Sequence, residues 1–260
     1  MAYIKEYWND KEKRAKVAKE HTELMEEKYG QDIGKCVDLT RIYCHYDCKN
    51  IKTAYRNQNI IVDDVDTVSA IMKYKSKNMA VLNFASYKNP GGMFLNGSKA
   101  QEECLCHESF LYNVLKNFQI GFYDWNNSHK NRSLYLNRTL YSPNILFERG
   151  DEKVRCDVIT CAAPNRSAAQ KYCDVSDYEN AMVLDERIEF VLDIAAYNDV
   201  DTLILGAWGC GVFGQNPYDV AYGFKEKLET THHCFDTVVF AVPKGKDGNY
   251  EAFANIFSEK

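Results

Sequence analysis

The chain reads as an α/β fold in which a mostly parallel sheet is covered by helices on both sides. Short continuous runs of aliphatic and β-branched residues recur along the sequence, as in strands buried on both faces. Segments of helical period lie between them, which implies parallel strands joined by helical crossovers. Two glycine-rich loops each follow such a run. Ligands of open α/β sheets sit outside the carboxyl ends of the strands, so these loops place a binding site at one edge of the sheet.

Taken in order, residues 5–28 are rich in Lys, Glu, Ala and Met without Gly or Pro, and predict a solvated helix that Gly30 ends. This N-terminal helical extension, residues 1–34, packs on a single domain at 35–260. Strands are expected at 36–42, 60–62, 80–84, 145–147, 158–161, 203–205 and 238–242. Helices are expected near 66–73, 99–118, 178–197, 218–229 and 250–257. The polar and aromatic stretch 121–137 has no clear period and reads as a long loop. No repeat, linker or low-complexity tract interrupts the chain.

With 260 residues, 45 % of them hydrophobic and 13 % aromatic, the chain can bury one substantial core. The 32 basic and 37 acidic residues are interspersed, with a net charge of −5. No basic block would favour a nucleic-acid backbone, so a general nucleic-acid binder is excluded. The start, MAYIKEYWNDKEKRAKVAKE, lacks the apolar core of a signal peptide, and no later run approaches a membrane span. A cytoplasmic protein without a membrane partner is expected. Its ten cysteines then read as reduced thiols, and its sequons at Asn126, Asn131, Asn137 and Asn165 carry no meaning.

The most informative stretch runs from the buried strand AVLNF through ASYKNPGGMFLNGSKAQEE into a helix with apolar Leu111, Val114, Leu115 and Phe118. Pro90-Gly91-Gly92 lets the backbone turn and approach a ligand closely. Ser98 and Gln101 have the spacing of a capping box, which puts the acidic pair Glu102-Glu103 in the first turns, facing whatever the loop holds. A phosphorylated sugar suits this arrangement; a plain turn before an acidic helix start explains it equally well.

A second strand, Leu203-Ile204-Leu205, runs into Gly206-Ala207-Trp208-Gly209-Cys210-Gly211-Val212-Phe213-Gly214 and then Pro217 and another helix. Four glycines in nine residues can present successive backbone N–H groups to a diphosphate. The loop matches neither the Walker nor the dinucleotide-binding spacing. Together the two loops can grip one ligand from both sides, beside a third strand end at Ala162-Ala163-Pro164-Asn165.

The run NFASYKNPGGMFLNGSKAQEE resembles the signature of the bacterial-type poly(ADP-ribose) glycohydrolases, in which a triple glycine precedes Gln-Glu-Glu. LGAWGCGVFGQNP resembles that family's diphosphate-binding loop, and the similarity covers most of the chain beyond the N-terminal helix. The resemblance implies a macrodomain-like, three-layer α/β/α fold with a mixed, mostly parallel sheet. It also implies a hydrolase that releases ADP-ribose from poly(ADP-ribose) or an ADP-ribosylated protein, with no metal and no cofactor. Carried over by position, Glu103 resembles the catalytic acid and Glu102 the residue that holds ribose hydroxyls. Gly91 and Gly92 would wrap the distal ribose and diphosphate. Gly209, Cys210, Gly211, Val212, Phe213 and Gly214 would hold the phosphates through backbone amides, with Phe213 over the distal ribose. By the same resemblance, Asn89 would be a further ribose contact.

Met93 stands where the family has its third glycine, and brings a side chain into a loop that hugs the sugar. Two alternatives therefore stay open: a reader that binds ADP-ribose without cleaving it, and a hydrolase of mono-ADP-ribosylated or cyclic conjugates.

Other motifs read blandly. Cys44-His45-Tyr46-Asp47-Cys48 has metal-ligand residue types but no second pair at a convincing spacing. Cys104 and Cys106 fall on different helix faces. His107 reads as a helix-surface residue, and His232-His233 as an exposed loop.

Overall fold

The computed structural model describes residues 6–44, 47, 58–231 and 233–258. One sheet holds β1 (Arg41–Cys44), β2 (Asn59–Asp63), β3 (Met79–Phe84), β4 (Arg138–Arg149), β5 (Glu152–Cys161), β6 (Thr202–Leu205) and β7 (Thr237–Ala241). Their order across it is β1-β4-β5-β3-β6-β7-β2. β3 pairs parallel with β5 and β6, and β7 pairs parallel with β6 and β2. Only β4 runs against its neighbours, β5 and β1, so the sheet is mixed and mostly parallel.

Each central strand feeds two cores. Val81, Ile204 and Val239 point to one face, where they meet α1 (Lys11–Leu39), α2 (Thr67–Lys73), α3 (Gln101–His107) and α4 (Leu111–Leu115). Leu82, Leu203 and Phe240 point to the other, where they meet α7 (Asp177–Tyr197), α8 (Pro217–Thr230) and α9 (Asn249–Ser258). This alternation within uniformly buried strands is the reason those runs are apolar throughout. Two shorter helices, α5 (Trp125–Ser128) and α6 (Arg166–Cys173), complete the order.

Several expectations need correction. Gly30 does not end the first helix: α1 bends at Tyr29 (φ −130°) and continues to Leu39, through the position where the extension was expected to end. Ala18, Met25, Ile33 and Cys36 form one buried stripe along it, and that burial outweighs the roughly 1 kcal/mol that a mid-helix glycine costs. Residues 36–39, expected in a strand, are therefore helical. The helix expected over 99–118 breaks after His107, where Ser109 makes a β-bridge to Phe147. The stretch 121–137 holds helical turns, including α5, and α6 was not foreseen. No helix among the described residues is long and apolar enough to cross a membrane.

Candidate active site

The site forms where β3 and β6 end. Beyond β3 the chain turns through Gly91 (φ +64°) and Gly92 (φ +63°), left-handed positions that strain any residue with a Cβ. Space demands glycine as well. A Cβ on Gly92 would collide with Glu103 Oε1 and approach Glu102 Oε2 at 3.0 Å; one on Gly91 would stand 2.8 Å from the Tyr112 ring. Both carboxylates thus flank a single glycine.

Ser98 is not the cap of α3. Ala100 occupies that position without a side-chain bond, and Gln101 turns back to the sheet instead. Its Oε1 accepts from Phe84 N–H at 2.8 Å, and its Nε2 donates to Leu82 C=O at 2.9 Å. Gln101 continues the β3 edge as a strand would, and so fixes the start of α3 against the sheet.

Glu102 and Glu103 are both buried. Glu102 Oε2 accepts from Ser86 N–H at 2.7 Å and its Oε1 accepts from Asn83 Nδ2 at 3.2 Å. Burial pushes the Glu102 carboxyl up to about 8; the Ser86 and Asn83 donors pull the other way, while Glu103 adds to the rise. Glu103 Oε1 accepts from Met93 N–H at 2.8 Å. Its Oε2 is buried with no hydrogen-bond partner among the described residues.

Met93 does not crowd the carboxylates. Its φ of −110° needs no glycine, and its side chain is 46 % exposed, beside Asn96. What the position contributes inward is the amide that holds Glu103. Asn89 is exposed; its carbonyl accepts from Gly92 N–H at 3.1 Å and closes the turn.

The second loop lines a cavity of about 190 Å³ with Gly209, Gly211, Val212 and Phe213, closed by Phe84, Gln101 and Trp208. The N–H groups of Gly209, Gly211, Val212 and Phe213 make no backbone hydrogen bond among the described residues, so four donors remain in one turn. Gly209 has a φ of +78°, and a Cβ there would stand 2.8 Å from Ala163 Cβ. Phe213 packs with Tyr87, Tyr135 and Ala162. Cys210 and Gly214 are not in the cavity wall: the Cys210 thiol turns to Trp208 C=O, and Gly214 packs on Ser167. A neighbouring cavity of about 470 Å³ shares Phe84, Gln101 and Ala207, and reaches Asp66, Pro243 and Asn249.

The sequence reading missed Asn83 and Ser86, which hold Glu102. Asn83 carried a signal, since a polar residue inside the buried run AVLNF requires a buried partner. Asn165 caps α6, its Oδ1 accepting from Ala168 N–H at 3.0 Å. His107 is buried against Tyr7, Trp8 and Phe94 rather than on the surface. His233 is buried too, its Nε2 2.8 Å from Asp193 Oδ1; His232 lies outside the described residues. Of the Cys44–Cys48 motif, His45, Tyr46 and Cys48 lie outside them as well.

Residues 7–150 match the family model for the catalytic domain of microbial-type PARG, poly(ADP-ribose) glycohydrolase. The fold superposes on the Thermomonospora curvata poly(ADP-ribose) glycohydrolase at 31 % identity with a TM-score of 0.86, covering 95 % of this chain and 100 % of that one. The same enzyme bound to the inhibitor ADP-HPD gives 30 % and 0.82, covering 94 % and 99 %. The Deinococcus radiodurans glycohydrolase in complex with ADP-ribose gives 32 % and 0.78, covering 86 % and 96 %. A search of curated protein sequences finds no match. Two glycine loops on a mixed macrodomain-like sheet, the paired carboxylates beneath one of them and these likenesses agree: the chain belongs to the microbial-type poly(ADP-ribose) glycohydrolase family.

Proposed function

We propose that the chain hydrolyses the ribose glycosidic bond of ADP-ribose polymers or conjugates and releases ADP-ribose. The observation that carries this reading is the unequal pair of carboxylates: Glu102 has both oxygens held, whereas Glu103 keeps a buried Oε2 without a partner. The diphosphate rests on the amides of Gly209, Gly211, Val212 and Phe213, and the adjoining larger cavity takes the nucleoside. Phe213 lies over the distal ribose, whose hydroxyls bond to Glu102. The D. radiodurans structure in complex with ADP-ribose and the T. curvata structure bound to ADP-HPD support a ligand of this kind here.

In the reaction Glu103 gives its proton to the glycosidic oxygen as the bond to C1″ breaks through an oxocarbenium-like state. The leaving group departs with that proton. Water then adds its hydroxide to C1″ and returns a proton to Glu103, which restores the enzyme. Glu103→Gln removes the proton donor but leaves the shape. Release of ADP-ribose from poly(ADP-ribose) is expected to fall by about 10²–10⁴-fold while calorimetric binding of ADP-ribose stays within a few-fold. Full turnover in that variant overturns the assignment, and tight binding without turnover in the unaltered chain makes it a reader.

A further inference from the structure

A cavity of about 760 Å³, which shares no lining residue with the two cavities at the glycine loops, lies in a groove between α7 and α8 that α9 closes at one end. Its floor is apolar, with Leu184, Ile188 and Ile256, and Gly223 lets the two helices approach: a Cβ there would stand 2.8 Å from Ile188 Cδ1. Three tyrosines on the rim are exposed, Tyr178 by 74 %, Tyr218 by 47 % and Tyr222 by 58 %. Aromatic surface of this extent marks a site of association rather than ordinary solvated surface.

Charge defines what fits. Four carboxylates line the groove, Asp177, Asp185, Asp219 and Glu226, against one guanidinium, Arg166. Arg166 is engaged with Asp177 at 2.7 Å, and Asp185 is met from outside the groove by Lys227 at 2.8 Å. Asp219 and Glu226 have no ion pair among the described residues. On α8, Tyr218, Asp219, Tyr222 and Glu226 recur at helical spacing and so share one face. Carboxylates beside exposed aromatic rings suit a cation carried on an apolar stem, which can pair with one and stack on the other.

We infer that this groove docks a basic peptide segment of a partner protein, one in which Lys or Arg alternates with aliphatic residues. A polyanion is repelled there, so the groove does not serve a nucleic acid or an ADP-ribose polymer. Its position gives docking a use. Asn180 in the groove wall exchanges hydrogen bonds with Gln215 at 2.9 and 2.8 Å, and Gln215 N–H closes the diphosphate loop on Gly209 C=O at 3.0 Å. A segment held in the groove thus lies one side chain from that loop. The inference does not depend on the glycohydrolase reading, because its readout is binding at a surface outside the catalytic cavity.

The test uses the full chain and two fluorescein-labelled peptides, one alternating arginine and lysine with leucine, the other with glutamate replacing each cation. The basic peptide is expected to bind, more weakly as salt is raised, and the acidic one is not. Asp219→Lys combined with Glu226→Lys is expected to weaken binding of the basic peptide by about tenfold or more, and Tyr222→Ala to weaken it as well. These exposed positions should leave the melting temperature and ADP-ribose binding unchanged. Equal affinity of the charge-reversed and unaltered chains overturns the inference, as does equal binding of the acidic peptide. A dimer seen by light scattering that Tyr222→Ala abolishes also overturns it, because the groove is then a contact between copies of this chain.

Discussion

Gly92 and Glu102 carry the two sharpest consequences of single side chains. Gly92→Ala places a Cβ against Glu103 Oε1 in a left-handed turn. It is expected to cost about 1–3 kcal/mol of stability and to reduce turnover further by displacing the carboxylate. Denaturant unfolding beside an ADP-ribose release assay separates the two effects. Glu102 makes stability depend on pH. Its carboxyl lies near 8 in the fold against an ordinary 4.5, so its contribution is whole below about pH 4.5 and is lost as pH rises through 8. Melting temperature should therefore fall across that window, and Glu102→Gln should flatten the fall. An unchanged slope in the variant would mean that Glu102 is not the titrating group. The acidic pair was legible in the sequence because the glycine turn and helix start bracket it. The distinction between its members came from the family resemblance alone, since its physical basis lies in Asn83, Ser86 and the Met93 amide, which only the folded loop assembles. The third position of the glycine run shows the same limit: sequence registers a missing glycine, whereas the φ of Met93 shows that none is required there.

The loop over the carboxylates is held from behind by α1. Buried Arg14 donates from Nε to Gly97 C=O at 2.7 Å and from Nη1 to Trp8 C=O at 2.5 Å. Gly97 (φ +76°) packs so closely on the first turn of α1 that a Cβ would meet Lys11 C=O. The helix that composition describes as a solvated arm is thus a support for the segment bearing Met93. Arg14→Ala leaves the Gly97 carbonyl without its donor, and is expected to cost about 1.5–3 kcal/mol. Turnover should drop more than ADP-ribose affinity does, because the amide on Glu103 moves while the Gly209 loop does not. Equal losses in both would assign Arg14 to general stability instead. The strands were readable from their apolar runs, and α7 and α8 from their period. The helix boundaries were not, because α1 continues past Gly30 on the burial of Ile33 and Cys36, and Ser109 owes its conformation to a bridge with distant Phe147 rather than to local preference.

Across the molecule, α7 ties the core on its own face of the sheet to the segment that precedes β4. Its buried Arg187 donates to Ala162 C=O at 2.6 Å, to Leu134 C=O at 3.3 Å and to Asn137 Oδ1. One side chain therefore anchors the 134–137 segment and a strand end beside Phe213. Arg187→Ala leaves buried carbonyls unpaired and should lower stability by about 2–5 kcal/mol, read by thermal unfolding. In the proposed reaction, a sheet held this way presents two loops from different strands to one ligand, with the Glu103 carboxylate at one end of it. A crystal structure of the Glu103→Gln chain with ADP-ribose tests this most directly. The diphosphate is predicted on the amides of Gly209 and of residues 211–213, with C1″ of the distal ribose within about 3.5 Å of the side chain at position 103. A ribose turned away from that side chain, with the phosphates off those amides, would contradict it.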